Sequence, residues 1–254
     1  MTTEFPQAAA DAPLVVFDFD NTLYRGDSGG DLLQWLLRRS VWRVLVALVA
    51  STVLLPMLAF LPTRRSGISG YLWIGTLGLK DYRDLNALIK HYVVARTDYL
   101  GGALLPIALG VLDRHLQAGD HVVIATGAPP ELAKAILAFV AREDVPVVGS
   151  HEAPWFGGLT TVDHCHNENK LRCLTRAGFG GPIRTAYSDS KEDLPLLKKA
   201  KLPVVVNPKT SSISLMRRSL PAGTQFLNWG ITTRAGDPVA AANAPDVLPS
   251  RPAV

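Results

Sequence analysis

Two aspartates stand at i and i+2 in the run Phe17-Asp18-Phe19-Asp20-Asn21-Thr22-Leu23. Side chains alternate along an extended strand, so these carboxylates project to the same side and repel each other unless a cation lies between them. An oxygen-rich site with few protein ligands and a phosphate as co-ligand suits magnesium. One carboxylate could then attack phosphorus while the other moves protons. The same Asp-x-Asp spacing also occurs in solvated turns. Context favours chemistry: an apolar run over residues 14–17 leads in and Thr22-Leu23 leads out, the pattern of a buried strand ending in a loop.

Other polar residues close further expected strands. His121-Val122-Val123-Ile124-Ala125 reads as a strand ending at Thr126-Gly127, Asn169-Lys170-Leu171 opens a helix, and Arg184-Thr185-Ala186-Tyr187 is a strand ending at Ser188-Asp189, with Asp193 close behind. Helices are expected over 106–116, 131–141 and 194–200, strands over 145–148 and 203–206, the latter the last of the chain, and a hairpin about Gly157-Gly158. Alternating strands and helices imply right-handed crossovers and a parallel sheet covered on both faces, an α/β core of Rossmann-like type. Ligands then sit at the carboxyl ends of the strands.

The segment that sets the chain apart follows the first motif. Asp27 or Ser28 can cap a helix running through Gly29-Gly30 to Arg39. Residues 44–61 then form an uncharged stretch of 18 residues, interrupted by Pro56, with Arg38, Arg39 and Arg43 before it and Arg64 and Arg65 after it. By length this is a borderline membrane span. A second apolar patch covers 71–79, and 81–100 reads as a helix before a Gly101-Gly102 hinge. The competing reading is a buried helical hairpin, since apolar residues all round also describe a buried helix; against it, an inserted cap of roughly 80 residues has little core in which to hide such a surface.

Composition points the same way. The 254 residues are 48% hydrophobic and 19% charged with a net charge of +4, a mean hydropathy of +0.16 and a pI of about 9.1, which suits an acidic partner such as anionic lipid, phosphate or nucleic acid. Two cysteines, Cys165 and Cys173, give no disulfide framework and fit a reducing compartment. His151, His164, Cys165 and His166 lack the second ligand pair that a zinc site needs. Residues 1–13 are polar and unlike a signal peptide, which places the catalytic part in the cytosol. They are expected to be flexible, and the Ala- and Pro-rich residues 232–254 disordered.

The order and spacing of FDFDNTL, ATGAPPE, the lysine of NENKL and YSDSKEDLPLL, over residues 14–208, resemble the haloacid dehalogenase-like hydrolase superfamily, in its phosphoserine phosphatase-like branch. The resemblance implies a core of residues 14–28 and 104–231 and an all-helical, strongly apolar cap at 29–103, with a membrane-associating segment at 41–79. It implies that Asp18 is the nucleophile, that Asp20 is the general acid and base, and that Asp18, the Asp20 backbone carbonyl and Asp189 hold Mg2+ with Asp193 in support. Thr126 would bond phosphoryl oxygens and Lys170 would neutralise charge. Asp27 and Gly127 could meet the substrate, with helix capping an equal reading for Asp27. Thr126 alone could cap the following helix, and Lys170 alone could be a surface lysine.

The cap composition is similar to that of membrane-associated phosphatidylglycerophosphate phosphatases of the C type. This implies an anionic lipid as both substrate and surface, no nucleic-acid partner, and a place on the cytoplasmic face of a bacterial inner membrane. A single complete span would separate Asp18 from Thr126, Lys170 and Asp189, so the expected attachment is a re-entrant or interfacial helical hairpin kinked at Pro56. A soluble small-molecule phosphatase of the phosphoserine type and a non-catalytic membrane docking module are the alternatives.

Overall fold

A computed structural model describes residues 13–60 and 62–231. The readings made for residues 1–12 and 232–254 lie outside this range. Among the described residues there are eight strands and ten α-helices, with six helices in a row after the first strand and strands and helices largely alternating from the second strand on. Six strands form one parallel sheet, in the order β3 (Val147–Val148), β2 (His121–Ala125), β1 (Leu14–Asp18), β6 (Ile183–Ser188), β7 (Leu202–Val206) and β8 (Gln225–Leu227).

Strand β1 is central, with Asp18 opposite Ala125 of β2 on one side and Phe17 opposite Tyr187 of β6 on the other. The chain builds outward from β1 in one direction and then in the other. That arrangement makes the carboxyl end of β1 the switch point where crossovers diverge, which is where open α/β sheets bind their ligands.

Both faces of the sheet are buried. Val15, Phe17, Val122, Ile124, Val204 and Val206 point into one core. Leu14, Val16, Val123, Ala125 and Val205 point into the other, packing against α8 (Glu168–Arg176), α9 (Leu194–Lys199) and α10 (Thr210–Ser219). Near-continuous apolar strands are what two covered faces require.

Five cap helices follow the first motif: α1 (Ser28–Arg38), α2 (Val41–Ala59), α3 (Arg64–Thr76), α4 (Tyr82–Ala95) and α5 (Thr97–Gly102). The chain leaves and re-enters the core side by side: Tyr24 bridges Leu104, and Leu105 N–H donates to the Leu23 carbonyl at 2.9 Å. Leu32, Leu36, Leu85, Ile89 and Tyr92 of α1 and α4 join the core under the sheet together with α6 (Pro106–Gln117) and α7 (Pro130–Leu137).

Helix α2 is left outside that core. It has a mean hydropathy of 2.1, yet among its residues only Ala47 is buried, and Val41, Leu48, Val49 and Val53 are 62–77% exposed. The buried-hairpin reading is therefore excluded. A helical hairpin does form, but it packs on one side only: α2 lies along α3, with Ser51 Oγ 2.8 Å from Tyr71 OH and Leu54 against Gly70, where a Cβ would come within 2.8 Å of it. The helix continues through Pro56 to Ala59.

Four local readings change. The helix expected over 81–100 breaks at Arg96, where the Thr97 hydroxyl bonds back to the Val93 carbonyl at 3.2 Å. The helix expected over 131–141 ends at Leu137 and tightens to a 3-10 turn over Ala138–Val140. Strand β3 shrinks to two residues because Pro146 has no N–H to donate, although its carbonyl accepts from Ile124 at 2.9 Å. Strand β7 is not the last. Helix α10 and β8 follow, invisible to periodicity because α10 buries only Ser212 and Met216 and β8 is three half-buried residues.

The second sheet is a hairpin, β4 (His151–Trp155) with β5 (Gly158–Asp163), and it leans on the cap: Trp73 Nε1 of α3 donates to the Trp155 carbonyl at 3.0 Å. Where β3 turns toward it, Gly149 is so close to the next loop that a Cβ would lie 2.5 Å from the Ala128 carbonyl oxygen. Backbone cannot step aside as a side-chain tip can. Gly149→Ala is therefore expected to lower stability by about 1–3 kcal/mol, measured by denaturant unfolding with an unchanged slope.

Candidate active site

Asp18 ends β1 and is buried. The next residue, Phe19, offers one carbonyl that accepts from three amides: Thr22 at 3.2 Å, Leu23 at 2.9 Å and Tyr24 at 3.0 Å. So tight a turn needs the left-handed backbone of Asn21, φ 57°, a conformation asparagine tolerates well. The turn is pinned below by the Phe19 and Tyr24 rings, stacked with centroids 5.6 Å apart. It aims Asp20 at the start of α1, where its Oδ1 accepts from the Ser28 amide at 2.9 Å.

Lys170 comes in from the first turn of α8 and is buried. Its Nζ donates to Asp18 Oδ1 and to Asp193 Oδ2, each at 2.7 Å. Ser188 Oγ donates to the same Asp193 oxygen at 2.7 Å, and Thr22 Oγ1 reaches Asp18 Oδ2 at 3.4 Å. The surface-lysine reading of Lys170 is thereby excluded.

Thr126, one residue beyond β2, is fully buried. It does not cap α7, whose N-cap is Pro129. Its hydroxyl accepts from the Ala128 amide at 3.1 Å and still has a proton to donate. Gly127 beside it is exposed. Asp27 is the N-cap of α1, its Oδ1 accepting from Gly30 at 2.8 Å.

Burial dominates the electrostatics. It raises Asp18 to about 6 even though Lys170 pulls the other way. It raises Asp20 to about 7 against the hydrogen bonds from Ser28. Asp189, at the end of β6, rises to about 8 through burial and then the fields of Asp18 and Asp193. Lys170 is held above the usual lysine range by Asp18 and Asp193, which outweigh its own burial.

Several carboxyl groups thus crowd around one buried ammonium, and Asp193 Oδ1 is buried without a hydrogen-bond partner among the described residues. A site so short of positive charge fits a divalent cation. Among the described residues no group of three or more His, Cys, Asp or Glu side chains is placed to hold a metal ion by itself. Magnesium asks for less: one or two carboxylates, with waters and phosphate oxygens completing its shell. Asp18 and Asp189 supply that donor type, and the Asp20 backbone carbonyl would be a neutral third.

One supporting residue escapes motif reading. Asn207 follows β7 with φ 48° and is buried. Its Nδ2 donates to the Asn21 carbonyl at 2.8 Å and its Oδ1 accepts from the Trp229 amide at 2.6 Å, so it ties the far side of the sheet to the turn that follows Asp18. The only sequence signal is an Asn-Pro pair at a strand end. Asn207→Ala leaves the buried Trp229 amide and the part-buried Asn21 carbonyl without this partner and is expected to cost about 1–3 kcal/mol, read by thermal unfolding, together with slower turnover.

The comparisons with known proteins agree with this geometry at the level of fold. A protein of unknown function from Bordetella pertussis Tohama I has a similar structure, at 21% identity and a TM-score of 0.64, over 85% of this chain and 97% of that one. A HAD family hydrolase from Salmonella enterica serovar Typhi has 17% identity and a TM-score of 0.53, over 86% and 68%. A substrate-bound phosphoserine phosphatase has 14% identity and a TM-score of 0.51, over 84% and 92%. No curated protein matches the sequence. The sequence model of the haloacid dehalogenase-like hydrolases does match, over residues 15–198, from the strand that carries Asp18 to the helix that follows Asp193, and the chain belongs to that family.

Proposed function

We propose that this hydrolase is a magnesium-dependent phosphomonoesterase working through an aspartyl-phosphate. The observation that carries the reading is the pairing of two unlike carboxyl groups at one strand end: Asp18, oriented by Lys170 at 2.7 Å, and Asp20, oriented by the Ser28 amide at 2.9 Å. A carboxylate Oδ of Asp18 attacks phosphorus, the bond from phosphorus to the ester oxygen breaks, and Asp20 gives its proton to the departing alkoxide. Water then attacks the same phosphorus, Asp20 takes the water proton, and the bond to Asp18 breaks to release inorganic phosphate. The cation supplies charge to the phosphoryl oxygens when bound; Lys170 and the Thr126 hydroxyl add fixed donors aimed at the charge that develops.

A proton-donating neighbour at i+2 suits an alkoxide leaving group, which favours phosphate esters over carbon–halogen bonds. Asp18→Asn is expected to abolish magnesium-dependent phosphate release, and unchanged release would overturn the nucleophile assignment. The raised acidities set the pH profile. Asp20 must be protonated in the first step, so kcat/KM falls as pH rises through about 7; Asp18 must be ionised, so it falls again below about 6, or lower once a cation is bound. Asp20→Asn should remove the alkaline limb and slow the reaction by about 10²–10⁴-fold.

For substrate, the proposal is a phosphomonoester on a membrane lipid, phosphatidylglycerophosphate being the type, reached from the cytoplasmic face of a bacterial inner membrane. Support comes from α2, a cap helix whose apolar side chains face outward along most of its length. An interfacial attachment through α2 satisfies this surface while leaving Asp18 and Lys170 together, as a complete span would not. Arg38, Arg39 and Arg64 are exposed at its ends; Arg43 and Arg65, expected to join them, donate instead to the Leu77 and His166 carbonyls at 2.7 and 3.4 Å. Each such exposed arginine adds about 1 kcal/mol near anionic lipid.

A soluble phosphatase of the phosphoserine type would have that surface internal. Co-sedimentation with phosphatidylglycerol vesicles is the check. The wild-type chain should pellet with the vesicles, and Val49→Glu should weaken its binding on the order of tenfold or more; a wild-type chain that stays in solution returns the reading to a soluble substrate.

A further inference from the structure

Helix α8 carries Lys170 but has no side-chain cap to hold its start. Its N-cap, Asn167, makes no side-chain cap hydrogen bond and sits at φ 59°, ψ −135°, a conformation that costs a non-glycine residue about 1–3 kcal/mol unless its surroundings impose it. The residues before it are wound tightly, the His166 amide donating to the His164 carbonyl at 2.9 Å, and the Lys170 amide donates back to the Asn167 carbonyl at 3.1 Å. The catalytic lysine therefore hangs from a strained four-residue turn.

Two cap side chains land on that turn. Arg65 Nη2 donates to the His166 carbonyl at 3.4 Å, and Ser69 Oγ lies 3.3 Å from His164 Nε2. Both come from α3, four residues apart and so on one face of the helix. The His166 ring also borders the second motif, its Nδ1 3.1 Å from where a Cβ on Gly127 would be. Gly67 and Gly70, which receive Leu58 and Leu54 of α2, lie on the opposite face of α3 by helical spacing. One helix thus touches the outward apolar helix on one side and the turn that seats Lys170 on the other.

We propose that Arg65, assisted by Ser69, is a positioning residue: it clamps the turn at 164–167 so that Lys170 meets Asp18 only when the α2–α3 hairpin is seated on the core. The inference rests on the phosphomonoesterase reading for its kinetic part and on geometry alone for its structural part. Arg65 touches neither phosphate nor nucleophile. It acts through the His166 carbonyl, Asn167 and the first turn of α8, and anything that lifts the hairpin slackens that first turn.

The test is hydrogen exchange of the amides at 166–170 in the full chain, paired with turnover of p-nitrophenyl phosphate in saturating magnesium. Arg65→Met should speed exchange at these amides about tenfold, the worth of a charged hydrogen bond, and lower kcat by a similar factor with KM little changed. Arg65→Lys, which can still reach a carbonyl, should recover part of both. Exchange at the wild-type rate in Arg65→Met overturns the clamp. If Arg65→Met does not fold, Ser69→Ala takes its place: faster exchange at 166–170 supports the clamp, and exchange at the wild-type rate overturns it. A wild-type chain that releases no phosphate would count against the phosphomonoesterase reading, while the exchange rates would still decide the clamp.

Discussion

Lys170 Nζ stands 2.7 Å from Asp18 Oδ1 and 2.7 Å from Asp193 Oδ2, with all three side chains nearly closed off from water. In so dry a place an ammonium is tolerable only with anionic partners, and each carboxylate only with a cation. The triad therefore requires the surrounding chain to deliver three elements, β1, the loop after β6 and α8, to one point. The parallel sheet does this by ending its strands at a common edge on either side of β1.

The proposed chemistry uses the same burial. A solvated Asp20 would be ionised at neutral pH and useless as an acid; burial lifts it to about 7, where it can both give and take a proton. Asp189, raised to about 8 by burial beside Asp18 and Asp193, is the mark of a cluster with too little positive charge. Removing a charge from such a cluster costs more than the pair contributed, because the partner is left buried alone. Fold and chemistry thus share one electrostatic balance.

Much of this is legible in the sequence because it depends on local pattern. The apolar run before Asp18 reads as a buried strand, and the alternation after residue 104 reads as a parallel sheet. Asp18, Asp20, Thr126, Lys170, Asp189 and Asp193 sit at ends of such runs, where polar side chains have a reason to be. What stays hidden depends on long-range pairing. Asn207 is 186 residues from the Asn21 carbonyl it holds, and nothing within its own neighbourhood marks it. Helix α10 and β8 carry too little apolar periodicity to stand out. Arg65 reads as one of five arginines flanking an apolar stretch; only the folded chain shows it turned toward the core, with α2 as the face left over.

The proposed chemistry stands or falls on a covalent bond to Asp18. Acid-quenching the wild-type enzyme during steady-state hydrolysis, digesting it and weighing the peptide that contains Asp18 tests this directly. The expected result is a phosphoryl adduct on that peptide, labile to hydroxylamine as an acyl phosphate is, rising before steady-state phosphate release and absent from Asp18→Asn. Phosphate released at full rate with that peptide unmodified throughout would contradict it.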